Sequence, residues 1–200
     1  MHLFIVTDIF GINDAVKTIQ KKLLKVFDKV SILDPYQGTE KQFTSEPQAY
    51  SEFLKLSGHE LYLQTSQQQI IQSDEINCLL GFSAGATVCW RLSETLTTQQ
   101  CKNIIAFYPS QIRKYLDIVS AVKTTVIFPQ KEDLFSVEES IAQLNNKQNV
   151  SCHHSRYLHG FMNPNSTNYS SQAEEIYFSL FGKTHFFNNP VTLLNRSQYS

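Results

Sequence analysis

The pentapeptide Gly81-Phe82-Ser83-Ala84-Gly85 constrains this chain more than any other stretch. It follows the apolar run Cys78-Leu79-Leu80 and leads into a helix-like run from Ala84 to Leu96. G-x-S-x-G between a strand and a helix is the pattern of a nucleophile elbow. Such a turn forces its serine into a strained conformation. Glycines two residues to either side leave room where a Cβ would strike the turn or the neighbouring strand. The Ser83 hydroxyl is then expected above the edge of a sheet, at a helix N-terminus that favours developing negative charge. The competing reading of the same residues is an ordinary strand-to-helix turn whose serine caps the helix, and the rest of the chain has to decide between them.

The 200 residues suit one domain, 1–200, with a core from about residue 3 to residue 182. Hydrophobic residues make up 42% and charged residues 18%, a globular balance. A formal net charge of −1 provides no basic field to hold phosphates, so nucleic acid is not an expected partner. No apolar run is long enough to span a bilayer, and no membrane partner is expected. Leu3-Phe4-Ile5-Val6 is too short for the core of a signal peptide and reads as a buried strand, which implies a cytoplasmic chain. Cys78, Cys89, Cys101 and Cys152 form no C-x-x-C pair and read as reduced thiols. Cys152-His153-His154 lies in a strand pattern, which sends successive side chains to opposite faces, so no metal is expected there. No cofactor motif is present either, since no G-x-G-x-x-G follows a strand.

Short apolar runs alternate with helical patterns. Strands are expected at Leu3–Val6, Val30–Leu33, Asn77–Phe82, Asn103–Tyr108, Thr124–Phe128 and Val150–His154. Helices are expected at Asp14–Asp28, Ala84–Leu96, Ser136–Leu144 and Ser171–Phe181, the third opened by a Ser136/Glu139 capping box. This alternation implies a three-layer α/β/α domain on a mostly parallel sheet of about six strands. Residues 36 to 72 read either as a short helix over the site entrance or as a plain surface excursion. The polar tail after Phe181 reads as loosely held.

A serine hydroxyl needs a general base within hydrogen-bond reach and an acid that orients the base. In the α/β-hydrolase order these follow the serine as acid, then histidine, each on a loop after a strand. Asp133 falls just past the strand Thr124–Phe128, and His159 just past Val150–His154. Glu132, beside Asp133, is the alternative acid; Asp133 is preferred. His153 and His154 lie inside a strand, and His59 and His185 fall outside the window, which leaves His159 as the base. The oxyanion of a tetrahedral intermediate needs two N–H donors. One is expected from Ala84, after the nucleophile, and the other from the loop Asp8-Ile9-Phe10-Gly11.

That loop carries a family resemblance. Thr7-Asp8-Ile9-Phe10-Gly11-Ile12-Asn13 resembles the E-I-F-G-x-N segment of the dienelactone hydrolase family, which has the α/β-hydrolase fold. Leu33 to Gly38 is similar to its P-D-L-Y stretch, Leu80 to Gly85 to its elbow, and Phe107-Tyr108-Pro109 to its Y-Y-G strand end. Lys131-Glu132-Asp133 and Tyr157 to Phe161 are similar to its acid and histidine loops, so the resemblance runs from about residue 3 to residue 182. It implies that Ile9 provides the second oxyanion amide. It also implies that Asp8, Phe10, Phe82 and Tyr108 bind substrate, and that the substrate is a small ester or lactone. The chain departs from the family in having Ser83 for cysteine, Asp8 for glutamate and Asn163 for an arginine that binds an anionic lactone. The strands that precede the oxyanion loop in the family are expected to be missing, giving an N-terminally shortened sheet. The same triad would serve a thioesterase, and a non-catalytic binding module on this fold is the opposing class.

Overall fold

The computed structural model describes residues 1–188 together with Pro190 and Leu194. Six strands alternate with helices in the order β1 (His2–Val6), α1 (Asp14–Leu23), β2 (Lys29–Leu33), α2 (Glu46–Leu56), α3 (Gly58–Ile71), β3 (Asn77–Phe82), α4 (Ala84–Leu92), β4 (Cys101–Phe107), β5 (Lys123–Phe128), α5 (Val137–Asn145), β6 (Val150–His154), α6 (Ser171–Phe181) and α7 (Thr184–Asn188). The sheet order is β2-β1-β3-β4-β5-β6, and every one of its pairings is parallel. The central strands read as largely apolar runs because both faces are covered, while the edge strands β2 and β6 are partly exposed. In β1, Leu3 and Ile5 pack with α1 residues Val16, Ile19 and Leu23 and α6 residues Ala173, Tyr177 and Leu180. The alternate residues Phe4 and Val6 pack on the other face with Phe53 of α2, Tyr62 of α3 and Val88 of α4.

Two helices stop before their expected ends. After Leu23 the chain closes in a turn, with the Val26 and Phe27 amides donating to the Leu23 carbonyl, so that Phe27 is buried. α4 ends where the Ser93 amide divides between the carbonyls of Cys89 and Trp90 and the Ser93 hydroxyl takes the latter as well. Residues 46–71 form two helices rather than one short helix or an irregular excursion. Ser45 caps α2 through the Gln48 amide, with Pro47 in the first turn. Tyr62 of α3 is fully buried, and its hydroxyl lies 3.0 Å from the Thr7 carbonyl oxygen and 2.9 Å from that of Leu33. This anchors α3 to the C-terminal ends of β1 and β2. Beyond α6, Phe186 and Phe187 are buried against Phe181, so the start of the tail is packed, and Leu194 is buried in the same core; residues 189, 191–193 and 195–200 lie outside the described residues.

β1 lies between β2 and β3, so the connections leaving the carboxyl ends of β1 and β3 diverge to opposite faces of the sheet. A crevice at such a switch point is where open α/β sheets place a site.

Candidate active site

Ser83 has φ 50° and ψ −109°, a conformation that most residues avoid. Its surroundings hold it there. The Ser83 amide donates to the Phe107 carbonyl, and the Ser83 carbonyl accepts from the amides of Thr87 and Ser110. A Cβ at Gly81 would come within 2.7 Å of the Ala86 Cα. One at Gly85 would enter the backbone carbonyls of Val6 and Thr7. The glycines thus let the start of α4 sit directly on the end of β1.

Ser83 Oγ lies 2.9 Å from His159 Nε2. His159 follows β6, and the loop is turned by Gly160 at φ 86° and held by the Asn168 side-chain amide on the His159 carbonyl. The other ring nitrogen, Nδ1, lies 2.6 Å from Glu132 Oε1. Asp133, the acid preferred from sequence, is exposed, and its place is taken by its neighbour. Beyond β5 the Gln130 amide donates to the Tyr157 carbonyl at 2.6 Å, which ties the loop that carries Glu132 to the loop that carries His159.

The loop after β1 is equally constrained. The Asp8 carboxylate accepts from the Phe10 amide at 2.9 Å and from the Asn163 side-chain amide at 2.5 Å. Burial pushes the Asp8 carboxyl up to about 6, although both hydrogen bonds and the nearby His159 act to lower it. The Tyr36 hydroxyl donates to the Ile9 carbonyl at 2.5 Å, fixing the peptide that joins Ile9 to Phe10. Gly11, at φ 68°, lies against the Tyr36 ring, where a Cβ would approach to 2.7 Å. Ala84 is the first residue of α4, so its N–H has no acceptor within its own helix.

These parts border a cavity of about 460 Å³. Asp8, Ile9, Phe10, Ser83, Tyr108 and His159 line it, so the expected substrate contacts at Asp8, Phe10 and Tyr108 meet at one place. The Tyr108 ring, on a backbone at φ 39°, lies 5.0 Å from that of His159. Phe82 does not line the cavity. The two-residue period of β3 carries it with Cys78 and Leu80 into the layer beneath α1 and α6, where it stacks on Phe107. Reading the sequence alone missed the cavity wall contributed by Glu46, Pro47 and Tyr50 of α2, by His59 of α3 and by Gln111. It also left Asn163 unassigned, although that residue was legible as the one standing where the family carries arginine. Among the described residues, no cluster of three or more His, Cys, Asp or Glu has metal-binding geometry, and no helix is long and apolar enough to cross a membrane.

Residues 2–189 match the family model of the dienelactone hydrolase family. No curated protein matches the chain by sequence. Among solved structures, a protein named as a dienelactone hydrolase from Klebsiella pneumoniae superposes with a TM-score of 0.69 at 13% identity, covering 87% of this chain and 81% of that one. A dienelactone hydrolase-like promiscuous phosphotriesterase from metagenomic libraries gives 0.61 at 16% identity, covering 90% and 84%. Est1E from Butyrivibrio proteoclasticus, with ferulic acid bound, gives 0.59 at 11% identity, covering 90% and 86%. At these identities the structural likeness establishes a shared α/β-hydrolase fold.

Proposed function

The chain belongs to the dienelactone hydrolase family, and from that premise we propose that it is a serine hydrolase cleaving small carboxylic esters or lactones through an acyl-enzyme on Ser83. The observation that carries this reading is the continuous line Ser83 Oγ, His159 Nε2, His159 Nδ1, Glu132 Oε1, with contacts of 2.9 and 2.6 Å. Glu132 accepts the Nδ1 proton and so leaves Nε2 free to take the proton of Ser83. Oγ then attacks the carbonyl carbon, and the negative charge that forms on oxygen is received by the N–H groups of Ala84 and Ile9. The imidazolium, stabilised by Glu132, returns its proton to the leaving alcohol as the C–O bond breaks. Water repeats the sequence on the acyl-enzyme, releasing the acid and restoring Ser83. A thioester would follow the same course with a thiol as leaving group.

A fluorophosphonate probe tests the reading. It should label the wild-type protein at Ser83, and Ser83→Ala should lose both the label and hydrolysis of a short p-nitrophenyl ester. A folded wild-type protein that neither takes the label nor cleaves the ester would instead support a non-catalytic binding module.

A further inference from the structure

The cavity next to Ser83 is rich in hydrogen-bond acceptors and poor in cations. Among the described residues that line it there are three carboxyl groups, Asp8, Glu46 and Glu132, and no lysine or arginine. Glu132 is engaged by His159. Asp8 is 8% exposed and satisfied by two neutral amides alone, with Glu46 near enough to act on its titration. Three further polar atoms of the wall, Gln111 Oε1, His59 Nε2 and the Tyr108 hydroxyl, are shielded from solvent and have no hydrogen-bond partner in the protein. Burial, with Lys114 and Arg91 nearby, lowers the His59 pKa and so favours the neutral ring. The Gln111 carbonyl can only accept, and a buried acceptor without a partner beside Ser83 is accounted for by a donor that the substrate brings.

We propose, on the basis of the hydrolase reading above, that the physiological ester carries a cationic hydrogen-bond donor, an ammonium or a guanidinium, bound by the Asp8 and Glu46 carboxyls in the cavity that Gln111 also lines. An ammonium offers three donors and a guanidinium five, to a wall that presents acceptors. The aromatic faces of Tyr50 and Phe10 suit the methylene stem of such a group and its charge. A carboxylate in the same place would be desolvated beside the like charges of Asp8 and Glu46.

The test compares kcat/KM for p-nitrophenyl esters of 6-aminohexanoate, heptanoate and pimelate, which share one stem and differ only in a terminal ammonium, methyl or carboxylate. Acetates of 6-aminohexanol, heptanol and 7-hydroxyheptanoate place the same three termini on the alcohol. The ammonium ester is expected to lead the neutral one by about tenfold in at least one set, equivalent to about 1.4 kcal/mol, and the carboxylate to trail in both. Glu46→Gln should shrink the ammonium-to-neutral ratio, and Glu46→Lys should invert it toward the carboxylate. A carboxylate ester cleaved as well as its ammonium counterpart, or a ratio unmoved by either folded variant, overturns the proposal while leaving the hydrolase reading in place. Failure of every ester together with failure of fluorophosphonate labelling overturns both.

Discussion

Glu132 Oε1 and His159 Nδ1 stand 2.6 Å apart, while Asp133, one residue further along, is exposed to solvent. The two acids are therefore separable by experiment. Glu132→Gln keeps the size of the side chain but offers an amide to Nδ1, which disfavours the tautomer that leaves Nε2 free. A fall in kcat of about 10⁴ is expected, as for other triads whose orienting acid becomes an amide. Asp133→Asn should stay within about twofold. Steady-state kinetics on one p-nitrophenyl ester checks both, and the reverse pattern would return the acid role to Asp133.

Gly85 meets the backbone of β1. Because carbonyls rather than flexible side chains occupy the space of its missing Cβ, Gly85→Ala should destabilise the fold by about 3 kcal/mol, the upper part of the range for overpacking. Gly182→Ala is the control: its nearest contact would be the Ser179 carbonyl oxygen at 3.8 Å, and its stability should change by about 0.5 kcal/mol or less. Urea unfolding midpoints distinguish the two.

Tyr36 touches the proposed oxyanion loop from behind. Removing its hydroxyl in Tyr36→Phe deletes the bond to the Ile9 carbonyl and frees the peptide next to the Ile9 N–H. Stability should fall by about 1 kcal/mol. In the proposed oxyanion role the Ile9 N–H acts when charge develops, so the kinetic loss of about tenfold should appear in kcat with KM little changed. An equal change confined to KM would mean that the loop serves binding alone.

Asp8 makes stability depend on pH. Its ordinary pKa of 3.8 describes the unfolded chain, and burial raises it to about 6 in the fold. Between these values the folded state binds more protons than the unfolded state, so stability falls as pH rises from about 4 to about 6. The shift of about two units is worth roughly 3 kcal/mol at most. Its stabilising effect is complete below pH 3.8 and gone above the folded value. Asp8→Asn should flatten that part of the profile, as measured by unfolding at fixed ionic strength. A slope identical to wild type would show that Asp8 does not titrate in this window.

Much of the fold was readable because its signals are local. The central strands are buried on both faces and largely apolar, the edge strands less so, and all six appear as short runs; Asn77–Phe82 and Val150–His154 match residue for residue. The helices of residues 46–71 were less legible, because α3 has apolar residues spread around its circumference and takes its place from the burial of Tyr62 and Ile70. Phe82 looked like a substrate contact because it sits inside the elbow motif. Strand alternation, which applies just as strictly there, sends it into the core.

That Ser83, His159 and the loop Asp8 to Gly11 come together was legible in the chain because each sits at the end of a strand, where a turn motif and a position in the order mark it. What the order could not convey was direction and partnership across long separations. Ser83 meets His159 over 76 residues and Asn163 meets Asp8 over 155. Glu132 faces His159 while its neighbour Asp133 is exposed, a difference in side-chain direction within an irregular loop that the order of residues does not convey. The acceptor-lined cavity is likewise a product of packing, since α2, α3 and the loops after β1, β4, β5 and β6 each contribute a wall that no local pattern announces.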